Sequence, residues 1–66
     1  APGSRIVTTS SSPIMDEQFQ NLGTVEKGVL VGYPVMSLEG SDTDMTLVRT
    51  LEGHDRWLPT ANIETH

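Results

Sequence analysis

The chain contains no cysteine. Neither a disulfide nor a Cys-ligated zinc site can staple it, and the lack fits a reducing, cytoplasmic setting. Basic residues are equally sparse: Arg5, Lys27, Arg49 and Arg56 stand singly against nine acids, for a net charge of −5. Phosphate binding takes its affinity from clustered Lys and Arg, so no nucleic-acid partner is expected. The excess acid aids solubility and biases any partner toward a basic peptide. No apolar run approaches the ~20 residues of a membrane span, and no charged-then-apolar leader opens the chain, so no membrane role is expected. A Gly-rich phosphate loop and a nucleophile elbow are also missing. His54-Asp55 faces no Ser nucleophile signature, and His54 and His66 have no spaced third ligand. Neither an enzyme, a metal nor a cofactor is expected.

What is present is enough for one thin core. Sixteen of the 66 residues are Leu, Ile, Val or Phe, above the roughly 20% below which chains stay disordered. A chain this short buries only about 60% of its unfolded surface, so its stability margin is small. The start, Ala1-Pro2-Gly3-Ser4, has no Met and is turn-prone. It reads as the trimmed edge of an excised domain, with residues 1–4 disordered and the domain running from 5 to 66.

The segments between turn signals are short and β-like. Arg5 to Thr9 places β-branched residues in succession. Ser10-Ser11-Ser12-Pro13 then reads as a break, and Ile14 to Asn21 as an acidic loop or a single helical turn. Leu22 to Gly28 is a short extended piece ending at a Gly turn. Val29 to Leu38 is the strongest strand, with Gly32 marking a bend and Pro34 an edge or bulge. Glu39 to Asp44 is a polar loop. Within it Asp42-Thr43-Asp44 starts like a calcium loop, but Leu47 and Gly53 stand where Gly and Glu are needed. Met45 to Leu51 and Arg56 to Leu58 flank a Gly-containing turn, a hairpin signal. Five or so short strands without an amphipathic helix predict an all-β fold, most economically a small half-open barrel.

Four motifs together resemble the Src-homology-3 (SH3) family. Asp16-Glu17-Gln18-Phe19 is similar to its acidic loop, and Glu26-Lys27-Gly28-Val29 to its diverging turn. Leu47-Val48-Arg49-Thr50 resembles a central strand, and Trp57 to Ile63 the 3₁₀ turn and last strand. The resemblance implies a five-stranded SH3-like barrel that binds protein or peptide, basic or proline-containing. Carried over residue by residue, its site would comprise Asp16, Glu17, Phe19, Trp57, Pro59 and Asn62. The groove is degenerate: Ile6 to Ser10 lack the family's first-strand tyrosines, Met45 or Thr46 replaces its Trp, and Asn62 its last Tyr. Arg56 stands where Gly is usual. The ending also resembles chromo-barrel and Tudor domains, whose aromatic cages need more rings than Phe19, Tyr33 and Trp57 supply. Trp57, Tyr33, Phe19 and Pro59 could line a polyproline-type groove, although with only three aromatics Trp57 is expected in the core somewhat more than at such a surface. A different class of role, a structural barrel packing into a larger assembly, follows from the thin core and from Pro34 near an edge.

Overall fold

Turn glycines and β-branched runs divide the described residues into seven strands. The computed structural model describes residues 4–40 and 44–66. Strands β1 (Ile6–Thr8), β2 (Ser12–Met15), β3 (Asn21–Val25) and β4 (Leu30–Leu38) come first. They are followed by β5 (Met45–Thr50), β6 (Asp55–Pro59), a 3₁₀ turn (Thr60–Asn62) and β7 (Ile63–Thr65). All pair antiparallel in one sheet of order β3-β2-β6-β5-β4-β1-β7. The fold is all-β. Five strands in a barrel were expected; the described residues form seven, and among them the sheet does not close, because no ladder joins β3 to β7. Among the described residues no helix is long and apolar enough to cross a membrane. The expected disorder at residues 1–4 lies outside the described residues except for Ser4, which is exposed.

The extra strands come from a segment that reads as a breaker. Ser12 and Pro13 belong to β2, paired with Val25 and Thr24 of β3, and no helical turn forms over residues 14–21. β2 meets β6 only at Met15↔Trp57, so at Pro13 one side of the strand has no ladder for a missing N–H to interrupt. Pro34 is accommodated as its residue type requires. It sits opposite Val48 at a bulge between Pro34 and Met36.

The core is wholly aliphatic. Ile6, Val31, Val48 and Leu58 form it, with Ile14, Val25 and Ile63 packed against them. β5 alternates sharply, Thr46 and Val48 pointing in and Met45, Leu47 and Arg49 pointing away. The buried hydroxyls are paired: Thr46 Oγ1 lies 2.8 Å from Thr60 Oγ1. Thr8 Oγ1 donates to the Glu26 carbonyl at 2.6 Å and accepts from the Val29 N–H at 2.9 Å. With Gly28 N–H donating to the Thr8 carbonyl at 2.8 Å, this ties the β3–β4 turn to β1. Gly28 there has φ +82°, a conformation that disfavours side chains.

Gly32 serves a different purpose. It is the residue at which β4 touches two neighbours, opposite Ile6 of β1 and Thr50 of β5. A Cβ there would overlap the Arg49 carbonyl oxygen and stand 2.8 Å from the Arg49 carbonyl carbon. The strands can approach this closely only because the side chain is absent.

Candidate functional site

Side chains directly opposite in a ladder share a face, so the register sorts the apolar residues the core does not use. Met15↔Trp57, Trp57↔Leu47 and Leu47↔Met36 align across β2, β6, β5 and β4. One step along, Pro59↔Met45 and Met45↔Leu38 make a second row. In the other direction Asp55↔Arg49 and Arg49↔Tyr33 make a third. These rows lie on the side of β5 away from Thr46 and Val48. Every methionine and every aromatic of the chain belongs to this outer face or packs on it. Phe19 and Tyr33 are thus half exposed rather than in the core. Trp57 is buried, at 7% exposure, yet stands outside the aliphatic cluster.

Phe19 covers it. The two rings stack with centroids 5.2 Å apart and planes 18° from parallel, a geometry worth about 1 kcal/mol beyond the area it hides. Phe19 is itself 48% exposed and has φ +62°, the only non-glycine among the described residues with positive φ. A bulky side chain in that region costs about 1 kcal/mol, and such strain is retained where the surroundings fix it. The fixing group is Asp16. Its Oδ1 accepts from the Gln18 N–H at 2.8 Å and the Gln20 N–H at 2.9 Å. The Asp16 N–H donates to the Gln20 carbonyl at 3.0 Å, and the Phe19 N–H to the Asp16 carbonyl at 2.9 Å. Asp16 is thus the brace of the β2–β3 turn. Glu17 at the same tip is exposed and makes no hydrogen bond among the described residues.

Asp16→Ala is therefore expected to lower stability by about 1 kcal/mol and to loosen the stack. Urea melts would show the first effect, and Trp57 fluorescence in the folded protein the second. Glu17→Ala should change neither. A reversed outcome, with Glu17→Ala perturbing Trp57 emission and Asp16→Ala silent, would refute the bracing role.

The remaining residues that the resemblance names fall in two places. Pro59, two residues beyond Trp57 on β6, shares its face and lies opposite Met45. Asn62, in the 3₁₀ turn, is turned to the β1–β2 connection. Its Oδ1 accepts from Ser10 Oγ at 3.1 Å and its Nδ2 donates to the buried Ser12 Oγ at 3.4 Å. Phe19, Trp57 and Pro59, with Glu17 at the rim, form one patch; Asn62 joins strands instead. The start of the calcium-like sequence, Asp42 and Thr43, lies outside the described residues, and Asp44 Oδ1 accepts from the Gly40 N–H at 3.3 Å.

Among the described residues, the charged members of these rows, Arg49 and Asp55, stand at one end. Arg49 Nε donates to Asp55 Oδ1 at 2.9 Å, and Nη2 reaches Oδ2 at 3.4 Å. That hydrogen bond, helped by the guanidinium charge, holds the Asp55 carboxyl below the usual carboxylate range, and Asp55 in turn raises Arg49. Sequence reasoning singled out Tyr33 as a surface aromatic but missed its neighbours Met36 and Leu38. They are 42–48% exposed on a strand whose composition reads as core. No family model, curated protein or solved structure matches the chain.

Proposed function

We propose that the protein is a non-enzymatic interaction module on an SH3-like barrel, taking a basic or proline-containing peptide across Phe19, Trp57 and Pro59. The observation that carries this is the Phe19–Trp57 stack, a half-exposed ring in a left-handed backbone laid over an indole. Aromatic side chains supply rigid, amphipathic contact area, and backbone strain concentrates at functional sites. Glu17 offers the free carboxylate for a basic ligand, since that of Asp16 is engaged by backbone N–H groups. The SH3-like reading is supported by the order of elements. A hairpin bearing the acidic motif precedes the β4-β5-β6 meander, and a 3₁₀ turn at Thr60–Asn62 leads into a last strand paired with the first.

Titration with a peptide such as acetyl-Arg-Pro-Leu-Pro-Pro-Arg-amide should move the NMR signals of Phe19, Glu17, Trp57 and Pro59. Substituting Trp57→Ala should weaken binding by tenfold or more, the scale of a buried aromatic anchor. Shifts confined to β1 and β7, or none with basic and proline-rich peptides alike, would remove this reading. A structural subunit is the second reading, favoured by the exposed apolar side chains of β4. It requires a tight complex with a large partner and no affinity for short peptides.

A further inference from the structure

Beyond Gly32, β4 loses a neighbour. β1 pairs with it only at Leu30 and Gly32, whereas β5 runs beside it as far as Leu38. Among the described residues, the stretch from Tyr33 to Leu38 is therefore laddered along one side alone. Sheet edges of this kind are usually blunted by charged side chains, bulges or proline. This one has no charge, and Tyr33, Val35, Met36 and Leu38 are each 42–48% exposed. Its one bulge follows Pro34.

The ladder fixes which backbone groups face outward. The Thr50 N–H donates to the His54 carbonyl at 2.7 Å, so Thr50 turns toward β6 and its partner Gly32 toward β1. Alternation then turns Pro34 outward, where it has no N–H to offer. The β5–β6 register is unbroken from Arg49 to Met45, so Thr46 also turns toward β6. Its partner Ser37 is left with both N–H and C=O facing the open edge. The edge therefore starts with a proline that offers only an acceptor and ends with a complete donor–acceptor pair.

We propose that this edge takes an extended basic segment of a partner protein as an added antiparallel strand. The segment's apolar side chains would lie on the row of Tyr33, Met36 and Leu38. Its Lys or Arg residues would precede the strand and reach Glu39 and Asp44, which flank the Leu38↔Met45 end of the hairpin. Two observations select this occupant over a second copy of the chain. The four exposed side chains offer on the order of 400 Å², about half of what each partner of a stable dimer buries. Self-pairing would also set one net charge of −5 against another. Because β4 lies two strands from β6, the inference does not depend on the Phe19–Trp57 reading.

The probe is acetyl-Lys-Lys-Val-Thr-Ile-Thr-Val-amide added to the whole chain, read by amide hydrogen exchange and NMR. Exchange at the Ser37 N–H should slow at least tenfold, with shifts along β4 and none at Phe19 or Trp57. The same peptide N-methylated at alternate residues should bind at least tenfold more weakly, the loss of two hydrogen bonds. Ser37→Pro should do likewise while keeping the β4–β5 ladder, since its N–H faces outward. The N-methylated peptide leaves the protein untouched, so its result does not depend on how that variant folds. Equal binding of the N-methylated peptide, or no binding at all, would overturn the proposal. So would shifts at Phe19 and Trp57 with Ser37 unprotected, which would leave the proposed function standing. Protection of Ser37 that rises with protein concentration alone would assign the edge to a second copy and refute a partner strand.

Discussion

The Gly32→Ala chain should lose most or all of its stability in water at 25 °C, although it adds a single methyl group. Overpacking ordinarily costs about 1–3 kcal/mol because side chains rotate aside. At Gly32 the obstructing atoms are the Arg49 carbonyl group and Thr50 Cα, all backbone. Relief requires β4 and β5 to separate where β4 is also held to β1 through Ile6. We expect a cost at or above about 3 kcal/mol, against a margin of roughly 3–5 kcal/mol for a domain of this size. Loss of dispersion in the amide NMR spectrum would report it. A variant with native dispersion and an unchanged urea midpoint would show that the strands do not pass so closely.

Leu58→Ala is the second large effect. Leu58 has 0% exposure and packs within a cluster of only four buried side chains. Removing a buried leucine costs about 2–5 kcal/mol, the upper end where neighbours cannot collapse into the gap. With Ile6, Val31 and Val48 each held on a different strand, collapse would mean moving the sheet. Leu51, at 61% exposure in the β5–β6 turn, undergoes the same chemical change when replaced by Ala and should lose less than about 0.5 kcal/mol. Urea midpoints of the pair separate burial from composition. Similar midpoints would mean that Leu58 does not anchor the core.

Strand positions were largely legible because β-branched runs and turn glycines carry local information. Val29 to Leu38 reads as a strand with an edge or bulge at Pro34, and β4 runs from Leu30 to Leu38 with its bulge following Pro34. β2 was not legible, since Ser12 and Pro13 signal a break. They are tolerated because β2 is laddered on its second side at one residue only. Nor could the inward face of β5 be read from its pattern. Met45 and Leu47 are more apolar than Thr46, yet Thr46 points inward, where its hydroxyl pairs with that of Thr60. Trp57 and Phe19 are individually conspicuous, but their stacking depends on a left-handed backbone at Phe19, where residue preferences favour Gly or Asn. The Asp16 hydrogen bonds that hold that turn are tertiary information of short range, and the Met15↔Trp57 bridge that aims it is of long range.

The pairing of first and last strands has a mechanical consequence. Ile6 lies opposite Thr65 and Thr8 opposite Ile63, while Arg5 and His66 exchange two backbone hydrogen bonds of 2.8 Å. Both chain ends therefore leave from the same end of this two-strand ladder. Tension applied between residues 5 and 66 acts along the hydrogen bonds, perpendicular to the strands. It opens them one pair after another, beginning with Arg5 and His66, as a zip rather than as a shear joint that must yield all at once. Pulled by its ends, the domain is a soft element in any chain that carries it.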